Sequence, residues 1–316
     1  MQTRKKISLF YRLLQDYKRD LLLRNDAKFQ NNFTAAELIR NTHSIEKGLS
    51  IEKPRLGFGH EKQKEMIAQI TKLEAANSPY CNEVCDMAVS ALNSYLEYHQ
   101  KNNYSDNFCT ELKKFVSERT KAGSFCNGGT ISIKKSELEV NVQEVERLFN
   151  TRHSIRNFAD TEVNDSTLRK ALALAQRAPS ACNRQGVRAY VLSTEKSREL
   201  AGSLSGIGGF AEQVNRFILV TGKKSTYRTN ELYQYIVSAS IYAAYLSLTL
   251  HLYGLGACVV QRSVIWTKEW ETLRIRLGID SDEQLVVLLA VGNLKDAFEV
   301  PYSHRISGDC FARFIE

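Results

Sequence analysis

The sequence predicts two regions of different build: an all-helical stretch over residues 1–140, then strands separated by helices over 141–316, which is the pattern of an α+β or α/β domain with one sheet packed on helices. Three features carry this expectation. Apolar residues in the first region recur at three- and four-residue steps. The second region holds short runs rich in β-branched residues. A glycine-bearing break, KAGSFCNGGT at 121–130, lies between them.

Along the chain, Ile7, Phe10, Leu14, Tyr17 and Leu21 form one helical stripe, and Met87, Leu92, Tyr95 and Leu96 another; each is expected to be buried. HSIEKGLSIEKPRLGFG, residues 43–59, holds Gly48, Pro54, Gly57 and Gly59 and predicts a loop. Residues 145–150 predict a helix end, and 166–178 a helix capped by Asp165 or Ser166. VRAYVLS (187–193) predicts a strand, 195–204 a helix, RFILVTG (216–222) a strand and 230–253 a long helix. ACVV (257–260) predicts a short strand, 267–277 a helix, and QLVVLLAVG (284–292) a buried strand.

Composition narrows the class. Hydrophobic residues make up 43% and charged residues 25%, the balance of a soluble globular protein. The N-terminus has no unbroken apolar run of signal-peptide type. The most apolar stretch, 235–253, is interrupted by Ser238, Ser240, Ser247, Thr249 and His251, so it predicts a buried core helix and the protein is expected to be cytoplasmic. Seven cysteines, an odd number with no CxxC, predict reduced thiols. Cys81 and Cys85 share a helix face without a second ligand pair, so no metal is expected. The net charge is +8, and +5 of it sits in the first 30 residues. A basic amphipathic helix there suits an anionic membrane surface or nucleic acid, whereas the plainer reading docks it on its own protein with a solvated basic face. Nucleic acid is not expected, because no aromatic-basic interleaving or recognisable motif supports it.

Several common chemistries lack their motifs: HExxH, GxSxG and GxxxxGK[ST] are all absent. Gly206-Ile-Gly208-Gly-Phe-Ala211 matches a dinucleotide pattern, but a helix precedes it where a strand is required, so a loop over a pocket is expected instead. His43 and Glu46, at helical spacing, predict a satisfied pair. NTRHSIRNFAD (150–160) concentrates Arg152, His153, Ser154 and Arg156, and guanidinium groups match a phosphate in charge and fork geometry. AQRAPSACNRQ (175–185) supplies Ser180, Asn183 and Gln185, whose amides suit a polyhydroxyl chain or a heteroaromatic edge. VPYSHRIS (300–307) adds Arg305 as a further phosphate ligand.

Taken in order, these segments resemble the nitroreductase family of FMN proteins. Arg152-His153-Ser154-Ile155-Arg156 matches its opening Arg-x-Ser-x-Arg/Lys, and Pro179-Ser180-Ala181-Cys182-Asn183-Arg184-Gln185 its Pro-Ser-x-x-Asn-x-Gln loop. Gly254-Leu255-Gly256 matches the turn after its long helix, and a strand ending at Gly292 precedes the tail. The resemblance covers 143–316. It implies a three-layer α+β fold with a central, mainly antiparallel sheet flanked by helices, here preceded by the helical region. It also implies an FMN-dependent oxidoreductase that takes electrons from NAD(P)H to a small organic acceptor, with the cofactor at a homodimer interface. By the same resemblance, Arg152, His153, Ser154, Arg156 and Arg305 would hold the phosphate and pyrimidine side. Ser180, Ala181, Asn183 and Gln185 would meet the ribityl chain or flavin edge, and Val259, Val260 and Gln261 would line the ring. No side chain is assigned as acid or base, since the flavin carries the chemistry. A dedicated biosynthetic flavin oxidase or dehydrogenase, or a non-enzymatic FMN-domain adaptor, are the alternatives. The sequence departs from many relatives in having Gly186-Val187-Arg188 in place of Pro-Trp, and in its first 140 residues, so the acceptor is not inherited.

Overall fold

A computed structural model describes residues 2–24, 26–119, 127–204, 206–260 and 267–315. The first region is helical as expected: α1 (Gln2–Arg24), α2 (Gln30–Leu49), α3 (His60–Glu74), α4 (Pro79–Lys101) and α5 (Asn107–Arg119). Helices α2 to α5 close on one apolar core that includes Leu38, Ile45, Met66, Ile70, Leu92, Tyr95 and Leu112. Helix α4 starts where it does because the Ser78 hydroxyl accepts from the Cys81 N–H at 3.2 Å, while Pro79 sits at a position that needs no donor. Cys81 and Cys85 both point into this core, and burial pushes the Cys85 thiol up to about 12. They are packing residues.

Two expectations for this region fail for physical reasons. Residues 43–49 are not loop: α2 runs to Leu49, and only 50–59 leave the helix. Gly48 is inside the helix because the Phe58 ring lies 2.3 Å from where its Cβ would stand, so this glycine serves close packing rather than a turn. The stripe of α1 is also not buried. Phe10, Leu14 and Tyr17 are exposed, whereas Asp16, Asp20 and Leu23 face the protein; the side chain of Ile7 lies outside the described ones.

The second region comprises α6 (Val142–Thr151), α7 (Asp165–Ala175), β1 (Val187–Val191), α8 (Thr194–Ser203), β2 (Arg216–Lys223), α9 (Gln234–Leu252), β3 (Leu255–Val259), α10 (Lys268–Arg276), β4 (Glu283–Asn293) and α11 (Gly308–Phe311). Helix α7 is capped one residue earlier than expected, by Asn164, whose side chain accepts from the Ser166 N–H at 2.7 Å. The four strands lie in the order β1-β2-β4-β3, every pair antiparallel, and this selects α+β over α/β. The unbroken apolar run of β2 follows from burial on both faces. Phe217 and Leu219 meet Leu200 of α8 and Trp270 of α10, while Ile218 and Val220 meet Ala239 and Leu246 of α9. The result is three layers: α8 and α10, the sheet, then α7 and α9.

Helix α9 is long and apolar enough to cross a membrane by composition alone. Here Tyr235, Ala239, Ala243, Leu246 and Leu250 seat one face on the sheet, but Val237, Tyr245 and Leu252 remain exposed on the other. The glycine pattern at 206–211 is turn rather than the start of a helix after a strand: Gly206 takes a left-handed φ of 84°, while Ile207 and Phe210 are buried in the core with Leu200 of α8.

The two regions meet through charge. Glu37 of α2 accepts from Arg228 at 3.1 and 3.2 Å and from Arg40 at 2.9 Å, Asp16 of α1 pairs with Lys224 at 3.0 Å, and Arg19 with Glu271 at 2.7 Å. Burial raises the Glu37 carboxyl, but the two arginines outweigh it and hold it below the usual range. Glu37→Ala removes the carboxylate to which Arg40 and Arg228 both donate and leaves the half-exposed Arg228 guanidinium to rehydrate. It should lower stability by about 1.5–3 kcal/mol, read as a reduced urea midpoint with an unchanged slope.

Candidate functional site

The chain between α6 and α7 is clamped against the sheet. The Ile155 N–H donates to Ala257 O at 3.0 Å, the Ala159 N–H to Asn293 O at 2.9 Å, and the Phe158 N–H to the Gln213 amide oxygen at 3.2 Å. Gly292 permits this approach, since the Phe158 ring lies 2.6 Å from the position of a Cβ there. With the segment fixed, Arg152, His153 and Ser154 line a small pocket together with Ser247 and His251 of α9 and Val259 of β3. His251 holds Thr151 through Nε2 and Oγ1 at 2.8 Å. Its pKa is depressed by burial first and then by Arg152 and His153, so the neutral ring is favoured beside the Arg152 guanidinium. The pocket is cationic, and it offers hydroxyl and imidazole groups beside a guanidinium. Such a set holds an oxyanion well.

Residues 180–185 form a second feature. Cys182, Asn183 and Gln185 all have positive φ (52°, 56° and 50°), a left-handed conformation that non-glycine residues rarely adopt. The Ser180 hydroxyl accepts from the Gln185 N–H at 3.0 Å and so closes the loop on itself. Arg184 anchors it. Its side chain is 1% exposed, it forks onto Glu231 at 2.8 and 2.5 Å, and it donates to Ala181 O at 3.2 Å and Thr226 O at 3.3 Å. Its guanidinium also lies 4.8 Å from the Tyr227 ring centroid. Inward anchoring of Arg184 leaves Asn183 and Gln185 turned outward and exposed.

Beside this loop runs a cleft of about 660 Å³ between the two regions. Ile39, Tyr80 and Met87 form its helical wall, and Gln176, Ser180, Gln185 and Tyr242 its other wall. Arg188 of β1 spans the joint, its guanidinium 5.4 Å from the Tyr80 ring centroid. The volume is in the range of sites for small molecules.

The predicted residues therefore fall into separate groups. Arg152, His153, Ser154 and Val259 share the basic pocket, whereas Ser180 and Gln185 line the cleft. Ala181 packs on the α9 core, and Asn183 is exposed on the loop. Arg156 is exposed and turns back on Ser154 O at 3.3 Å. Val260 extends the sheet by donating to Leu288 O at 2.7 Å. Arg305 sits on an exposed tail bonded to its own Ser303 O at 2.7 Å, and Gln261 lies outside the described residues. His43 and Glu46 make a half-buried pair at 3.5 Å, and Glu46 also accepts from the Gly129 N–H at 3.2 Å. Sequence reasoning missed Arg184, Glu231 and His251. Only the position of Arg184 between two amides in a turn gave any signal.

Arg184→Met should cost about 2–3 kcal/mol and make the 180–185 loop an early site of proteolysis, whereas Arg184→Lys should retain part of the stability. Arg184 holds the Glu231 carboxyl down to about 2 from an ordinary 4.5. The unfolded chain takes up that proton first, so the pair's stabilisation is complete above the ordinary value and is lost as pH falls toward 2. An acid titration of stability should show this loss in the native chain and not in Arg184→Met.

Residues 150–235 match the family model described as the Nitroreductase family. No curated protein matches the chain in sequence. Among solved structures, the chain is similar to a Desulfovibrio desulfuricans protein named as a nitroreductase and crystallised in complex with FMN, at 20% identity and a TM-score of 0.48, over 56% of this chain and 99% of that one. A Bacillus subtilis protein also named as a nitroreductase matches at 19% identity and a TM-score of 0.48, over 55% and 100%. An FMN-dependent nitroreductase from Clostridium difficile matches at 24% identity and a TM-score of 0.46, over 54% and 98%.

Proposed function

With residues 150–235 matching the nitroreductase family model, we propose that the protein is an FMN-dependent oxidoreductase that passes electrons from NAD(P)H to a small organic acceptor in the cytoplasm. The observation that carries this reading is the cationic pocket of Arg152, His153 and Ser154 clamped at the sheet edge within that matched segment. The donors fit the cofactor: guanidinium, hydroxyl and imidazole groups converge where a phosphate would sit, and the exposed amides of Asn183 and Gln185 suit a ribityl chain or ring edge. FMN, when bound, supplies the hydride chemistry. Arg152 and Ser154 would hold the phosphate, His251 would keep the pocket from carrying excess charge when empty, and the left-handed loop would present its amides without reorganising. The cleft walled by Tyr80 and Met87 is the place for the acceptor, and the helical region up to residue 140 is then a part of the substrate site.

The proposal includes a homodimer. Within one chain the basic pocket and the amide loop share no lining residue, so a complete site needs a second copy. Three surfaces suit that role: α6 with exposed Val142, Val145 and Phe149, the outer side of α9, and the tail with exposed Phe311 and Phe314.

Purified protein should be yellow, carry about one FMN per chain, and bleach anaerobically with NADH or NADPH. A colourless protein that takes up no FMN removes the proposal. Arg152→Ala should weaken FMN about ten- to a hundredfold, the worth of one charge-assisted contact, with little change in melting temperature. Light scattering should give a dimer at micromolar concentration. A flavin-loaded monomer would contradict the shared site.

A further inference from the structure

Helix α1 has a role that an oxidoreductase site does not absorb. Among the described side chains it is fastened on one side: Asp16 pairs with Lys224 at 3.0 Å, Arg19 with Glu271 at 2.7 Å, and Asp20 and Leu23 are buried. On a helix of ~3.6 residues per turn these four share one face, and Tyr17, Phe10, Leu14, Tyr11 and Leu22 fall on the opposite arc. Those five are 46%, 69%, 38%, 59% and 74% exposed. The ion pairs hold the helix in this orientation, so the apolar arc is displayed by a fixed support.

The charge distribution says what covers it. Within α1 the only acidic residues are Asp16 and Asp20, and both face inward. The helix also carries Arg4, Lys5, Lys6, Arg12, Lys18, Arg19 and Arg24, of which Arg19 is spent on Glu271. The outward side of the helix therefore has apolar and aromatic groups with no carboxylate to repel an anion. Against a second α1 this surface would meet its own charge. A nucleic acid would meet the cations but would leave the phenyl and leucyl groups in water. A bilayer of anionic lipid satisfies both: acyl boundary for the arc, headgroups for the cations, and the interface for the tyrosines.

We propose that α1 is a membrane-surface docking helix that seats the protein on anionic lipid, with its apolar arc in the headgroup boundary. It is independent of the flavin reading, since none of its residues lines the basic pocket or the cleft.

The test is flotation of the full chain with phosphatidylcholine vesicles, with and without phosphatidylglycerol. Retention should be at least roughly tenfold greater on the anionic vesicles and should fall as salt is raised. Phe10→Ser, Leu14→Ser and Tyr17→Ser combined should abolish it while leaving the melting temperature unchanged, because these side chains are exposed. No retention on anionic vesicles overturns the proposal. So does a triple variant that changes the oligomeric state in light scattering without vesicles, which would assign the arc to a second copy. Binding of duplex DNA that the triple variant loses would assign it to nucleic acid and overturn it equally.

Discussion

A buried guanidinium cannot shed its charge, and Arg184 is almost wholly enclosed. Everything near the amide loop follows from where its fork goes. Glu231 lies just ahead of α9, so the pair ties the loop before β1 to the start of the helix that carries the sheet. Without that tie, three left-handed non-glycine residues within four positions would have no reason to persist. The backbone of Arg228 also donates to Glu231 at 2.8 Å, and its side chain reaches Glu37 of α2. The loop, the long helix and the helical region are thus tied by a chain of contiguous ionic contacts. Each member keeps the next from rotating away.

The legible part of the fold was the part written in local periodicity. β2 and β4 were clear because both faces are buried and their apolar runs are unbroken. The end of α2 was misread because Gly48 looks like punctuation in sequence and acts as room for the Phe58 ring in space. The stripe of α1 was read correctly as a helix and wrongly as buried. Periodicity reports that a face is apolar, not what covers it.

The same division holds at the site. Arg152, His153 and Ser154 are adjacent in sequence, and one fixed turn brings them together. Their companion His251 is about a hundred positions away at the end of α9, and no local pattern announces it. Arg184 and Glu231 are likewise 47 positions apart and could be paired only by the fold. The separation of the basic pocket from the amide loop accords only with what the family resemblance implied, not with anything in the residues themselves. Order along the chain says nothing about which surface two segments share.

The ionic seam has a consequence for how such a chain can diversify. Because Glu37 serves Arg40 and Arg228 together, the helical region and the 224–231 segment carry halves of one lock. A substitution at 37 then costs stability that a matching one at 228 would offset, and the two positions should drift as a pair. Grafting this helical region onto another α+β fold would fail at the same place, unless the receiving turn ahead of its long helix were transplanted with it. The inheritable unit is the helical region together with the host residues that hold it, the 224–231 segment and Glu271 of α10.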